Sequence, residues 1–62
     1  MSSRPTNKEI AGAVGMTENE VGTYLVDSEL LADGTWRFYF AAETPKRLRA
    51  RLKDFFIFDM PS

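Results

Sequence analysis

Apolar positions in the first third of the chain recur at helical spacing. Ile10, Ala11 and Val14 stand at i, i+1 and i+4, and Val21, Tyr24 and Leu25 repeat the interval, so each stretch turns one face inward when coiled. Both stretches carry a start signal. Thr6 followed by Glu9, and Thr17 followed by Glu20, are capping boxes: the hydroxyl accepts from the N–H three residues on, and the carboxylate reaches back. Gly15 sits just past Val14, where a helix ending in the left-handed conformation most cheaply places a residue without a Cβ. The pattern predicts a first helix from about Asn7 to Val14, a sharp turn with Met16 pointing between the helices, and a second helix that begins after Thr17 and continues to about Asp27. Ala11 is small where the two should cross. Gly22 interrupts the second helix at a cost on the order of 1 kcal/mol, which suggests a close approach there.

The period then changes to two. Ser28 to Ala32 reads as a short strand, and Asp33-Gly34 is a strong two-residue hairpin signal. Counting outward from that turn pairs Ala32 with Thr35, Leu31 with Trp36 and Leu30 with Arg37. Alternation places Trp36, Phe38 and Phe40 on one face, able to cover the helix pair, and Thr35, Arg37 and Tyr39 on the other. A third helix is expected from Thr44 as cap and Pro45 at the first helical position. Leu48, Leu52, Phe55 and Phe56 then form one buried stripe, surrounded by Lys46, Arg47, Arg49, Arg51 and Lys53. Residues 57–62 form a tail whose Ile57, Phe58 and Met60 either close the core or pair subunits. Residues 1–5 read as a flexible arm whose Arg4 is available to a phosphate, or as a frayed terminus.

At 62 residues the chain is a single domain, near the size at which one core barely offsets chain entropy. Eight aromatic rings compensate in part. Cysteine and histidine are absent, which removes thiolate and imidazole metal sites, disulfide staples and the commonest general base. An enzyme is therefore not expected, nor is a cofactor. No apolar run has membrane-spanning length, and the N-terminus lacks the order of a signal peptide, so a cytoplasmic location is expected. The net charge of −1 conceals a polarity. Residues 1–36 hold two cations against six carboxylates, a net −4, whereas residues 37–62 hold six against three, a net +3.

Ile10, Ala11, Val14, Gly15, Met16, Val21 and Tyr24 resemble the small-residue, turn-glycine and apolar pattern of helix-turn-helix DNA-binding proteins. The hairpin with Gly34-Thr35-Trp36-Arg37-Phe38-Tyr39, followed by Thr44 through Leu52, extends the resemblance to the winged helices of the MerR and excisionase-like families. The fold class this implies is α+β, a small winged helix-turn-helix made of a two-helix unit, a β-hairpin wing and a C-terminal helix. The resemblance implies Thr17, Asn19, Thr23 and Gly22 as the groove-facing part of helix two, and Arg37 and Tyr39 as backbone contacts on the wing; Glu18 joins the DNA-binding candidates by its place beside them. Lys46 and Arg47 add phosphate contacts from the basic run. Glu18 and Glu20 depart from the family by placing carboxylates at the start of the recognition helix. Glu20 is accounted for by its capping box, and a glutamate can accept from cytosine N4.

The expected function is sequence-specific binding of duplex DNA by a phage- or plasmid-type regulator, in the manner of an excisionase or small repressor, with self-association as a weak dimer or cooperative array. The alternative is an interaction module of the same fold, whose acidic second helix docks a basic partner protein. For Gly22 the two accounts are a DNA approach and tight helix packing. For Arg37 and Tyr39 they are a phosphate contact and a solvated cation packed on a ring.

Overall fold

Both capping boxes form. The computed structural model, which describes residues 3–54 and 56–61, has α1 over Asn7–Val14 and α2 over Glu18–Tyr24. The Glu9 N–H donates to the Thr6 hydroxyl at 3.2 Å and the Thr6 N–H donates to the Glu9 carboxylate at 3.0 Å. Glu20 and Thr17 repeat the exchange at 3.1 and 2.8 Å. Bonds from the Thr6 and Thr17 N–H groups hold the Glu9 and Glu20 carboxyls below their ordinary range, because they favour the charged form. Gly15 closes α1 at φ 79°, and the Met16 N–H donates back to the Ala11 carbonyl, the six-to-one bond of a Schellman turn.

Helix α2 stops at Tyr24 instead of continuing to Asp27. Leu25 already has extended backbone, φ −73° and ψ 121°, and opens β1 (Leu25–Leu30), which pairs antiparallel with β2 (Trp36–Phe40). β-branched Val26 favours the strand, and α2 is already weakened by Gly22. Val26 is the extra residue of a bulge between Leu25, opposite Phe40, and Asp27, opposite Tyr39.

The hairpin register differs by one residue from the predicted pairing. Leu30 lies opposite Trp36 and Glu29 opposite Arg37. A two-residue turn at Asp33-Gly34 requires positive φ at both positions, but only Gly34 has it, at 89°. The Gly34 N–H donates to the Leu31 carbonyl and the Leu31 N–H to the Thr35 carbonyl, so Ala32, Asp33 and Gly34 form a three-residue loop with glycine at its left-handed position. The Asp33 carboxylate accepts from the Thr35 N–H at 2.9 Å. The alternation within β2 is as predicted: Phe38 and Phe40 are buried and Trp36 packs beside them, while Arg37 and Tyr39 occupy the opposite face.

The expected C-terminal helix does not form. The Thr44 hydroxyl donates to the Ala41 carbonyl at 2.6 Å instead of capping a helix, and Pro45 is extended at ψ 142°. One 3-10 turn, Lys46–Leu48, is followed by a second turn closed from Leu52 to Arg49. Like charges three and four residues apart, such as Arg47 with Arg51 and Lys46 with Arg49, oppose a continuous helix, and Asp54 at φ 50° ends any helical path. Leu48 and Leu52 are still buried, by two successive turns rather than one stripe; Phe56 is half-buried and Phe55 lies outside the described residues. The tail supplies β3 (Ile57–Met60), antiparallel to β2, so the sheet order is β1-β2-β3. It closes the core, the first of its two expected roles.

The helices and the turns of 45–52 cover one face of the sheet. Ile10, Val14, Val21, Phe38, Phe40, Leu48 and Leu52 lie at the centre, with Phe58 and Met60 packed against them. Ile10, Val21 and Phe38 are fully buried. No described helix is long and apolar enough to cross a membrane.

Candidate functional site

The nine residues proposed from sequence fall into two groups on different sides of the molecule. Helix α2 buries Val21 and turns Glu18, Asn19, Gly22 and Thr23 outward, all four exposed. Their spacing of i, i+1, i+4 and i+5 makes them one stripe. Thr17, also exposed, is occupied as the cap. The Thr23 hydroxyl donates to the Asn19 carbonyl at 2.9 Å, so towards solvent it offers acceptor capacity only.

Gly22 is not explained by internal packing. A Cβ built on it would meet only the Asn7 amide nitrogen, at 3.8 Å, and its φ is not positive. An alanine fits there without displacement. Tight helix packing, one of the two accounts of this glycine, therefore has no support among the described residues.

Lys46 and Arg47 sit in the 3-10 turn, both exposed. The Arg47 guanidinium reaches Glu20 on α2 at 3.3 Å, with its side chain 71% exposed, a geometry that contributes little and is screened by salt. The basic segment thus packs beside the acidic helix, and the charge polarity read from the sequence is partly a complementarity between two parts of one chain. Arg51, which sequence reasoning left among the general cations, belongs to the same junction. Its guanidinium donates to the Ala13 carbonyl at 3.2 Å, near the C-terminus of α1, where a cation is favoured. Only the fold brings residue 51 to residue 13.

Arg37 and Tyr39 point away from the helices. Arg37 donates to both oxygens of Asp59, at 2.7 and 3.0 Å, and Lys53 lies 3.5 Å from the same carboxylate. This forked bond holds the Asp59 carboxyl below its ordinary range and raises the Arg37 pKa. The Tyr39 hydroxyl donates to Glu29 at 2.7 Å, and that bond to the neutral phenol raises its pKa. Sequence reasoning missed both acidic partners, since Asp59 becomes a neighbour only when the tail pairs as β3. Arg4 is also engaged: it donates to the Ser28 hydroxyl at 3.3 Å and lies over the Phe38 ring at 5.7 Å. No family model matches the sequence, and no curated protein or solved structure matches it either.

Proposed function

We propose that the chain is a small winged helix-turn-helix that binds duplex DNA, with the α2 stripe entering the major groove. The observation that carries this reading is Gly22 on the exposed stripe, a helical glycine that no packing among the described residues requires. A surface approaching α2 closely from outside gives it a role. Asn19 and Thr23 are the base-reading candidates, an amide able to pair with adenine and a hydroxyl acceptor, and Glu18 accepts from cytosine N4. Backbone contacts come from Lys46 and Arg47, which lie in the segment packed beside α2. Arg37 and Tyr39 contribute less, because a phosphate must compete with Asp59 and Glu29 for them.

The test is binding to duplex DNA by fluorescence anisotropy across a salt series. Lys46→Ala and Arg47→Ala should each lower the slope of log affinity against log salt by about one, with Arg37→Ala changing it less. Asn19→Ala and Thr23→Ala should relax selectivity by about 1–3 kcal/mol at particular base pairs. Absence of binding at the lowest salt would reject the reading. A second reading, docking of the acidic α2 on a basic protein, is favoured by Glu18 and by the neutralised Arg37, and it predicts that Glu18→Gln slows association with such a partner most at low salt.

A further inference from the structure

The two edges of the sheet are finished differently. At β3 the Ile57 N–H donates to the Lys53 carbonyl within an isolated bridge, and Pro61 follows the strand, so that edge is partly paired and then stopped. At β1 the Leu31 N–H bonds to the Thr35 carbonyl, and on the other flank of β2 the Phe40 N–H bonds to the Phe56 carbonyl, so the odd-numbered residues of β2 face β1. Alternation along this ladder turns the N–H and C=O groups of Ser28 and Leu30 outward, away from β2. Val26 and Leu30, 63% and 48% exposed, are the large exposed apolar side chains among the described residues, and both lie on this strand. Asp27 and Glu29 project from the opposite face of β1, beside Tyr39 and Arg37.

We infer that the β1 edge accepts an extended segment of a partner protein in which basic residues alternate with apolar ones. Main-chain bonds to Ser28 and Leu30 hold the segment, its cations face Asp27 and Glu29, and its apolar side chains cover Leu30 next to Trp36. Charge excludes a second copy of this chain as the occupant. Antiparallel self-pairing centred on Ser28 sets Asp27 opposite the Glu29 of the other copy, and shifted registers set Asp27 opposite Asp27 or Glu29 opposite Glu29, which is destabilising in each case. One donor of the edge is capped when the edge is empty: the Asp27 carboxylate accepts from the Ser28 N–H at 2.8 Å. An incoming carbonyl replaces that acceptor and frees the carboxylate for the segment's cation. This surface is separate from the α2 stripe, and the inference does not depend on DNA binding.

The experiment measures amide hydrogen exchange and chemical shifts of the full chain, residue by residue, with a synthetic peptide of alternating lysine and valine and with its glutamate-for-lysine counterpart. The lysine peptide should slow exchange at Ser28 and Leu30 and bind about tenfold more tightly than the glutamate peptide, the factor expected for two cross-strand charge pairs. Asp27→Lys with Glu29→Lys should invert the preference. If that double variant does not fold, Asp27→Asn with Glu29→Gln should abolish the preference while keeping the protection. Unchanged exchange at Ser28 and Leu30 would overturn the proposal, as would shifts confined to α2, which mean non-specific cation binding. Equal protection by both peptides would remove the charge argument, and protection that rises with protein concentration alone would make the occupant a second copy.

Discussion

Replacing Gly22 by alanine separates stability from recognition more cleanly than any other substitution in this chain. Glycine in a helix interior costs about 0.8–1.0 kcal/mol relative to alanine, part of it through the freedom of the unfolded chain. The new methyl would find only the Asn7 amide at 3.8 Å, an ordinary contact, so the gain should appear almost undiminished. For a domain of this size about 1 kcal/mol raises Tm by roughly 4–8 °C. Gly12 provides the control, since it lies in α1, is exposed, and a Cβ there meets nothing within 4 Å. Gly12→Ala should stabilise by a similar amount. The two variants should part in binding: the methyl at position 22 stands on the proposed groove-facing stripe and should weaken duplex affinity by about tenfold, or about 1.4 kcal/mol, whereas that at position 12 should leave it unchanged. Thermal melts and anisotropy titrations of both variants provide the measurement. Equal stabilisation with equal, undiminished affinity would refute the placement of Gly22 at an interface. Destabilisation by Gly22→Ala would contradict the open space around its Cβ.

Stability should fall in acid through the paired carboxylates. Asp59, Glu9 and Glu20 all have folded pKa values below their unfolded ones, so their contribution is present above about pH 4 and fades as the pH drops through the folded values. Asp59→Asn should flatten this acid limb in urea melts at pH 7 and pH 3, and an unchanged pH dependence would rule out the Arg37 pair as its source. Gly15→Ala should cost about 1–2 kcal/mol from the positive φ alone, since the nearest atoms to its Cβ belong to Arg51 at 3.8 Å or more; an unaltered melting temperature would contradict that. Thr6→Ala should cost about 1 kcal/mol by uncapping α1, measurable by denaturant titration. Phe38→Ala, at a fully buried position, should cost about 3–5 kcal/mol, comparable with the whole stability of a chain this short, and circular dichroism should find it largely unfolded at 37 °C.

Legibility from sequence followed the range of the interactions. The capping boxes, Gly15 and the inward face of α1 are local features, and each was readable because the groups that satisfy one another lie within five residues; of the face expected for the second helix, Leu25 belongs to β1. The hairpin was placed correctly but misregistered, since a strong Asp-Gly signal does not distinguish a two-residue turn from the last two residues of a three-residue loop. The C-terminal segment was misread for a different reason. Leu48 and Leu52 have helical spacing, yet two turns bury them as well as a helix does, and the decisive competitor was the pairing of 57–60 with β2, which no local pattern announces. Site residues show the same division. The exposed stripe of α2 follows from the helix period, but the occupation of Arg37 by Asp59 and of Tyr39 by Glu29 required the sheet.

The position of β3 fixes the order in which the molecule is able to assemble during synthesis. Phe40 pairs with Phe56, Arg37 with Asp59, and Trp36 lies opposite Met60, so the central strand has one bare edge until residue 60 has left the ribosome. Before then the nascent chain holds two capped helices and a hairpin with Phe38 and Phe40 unprotected along one flank. The sheet therefore becomes safe from pairing with a neighbouring nascent chain only once Met60 is free of the ribosome. A stall or truncation between residues 50 and 56 should yield an aggregating product rather than a smaller working domain.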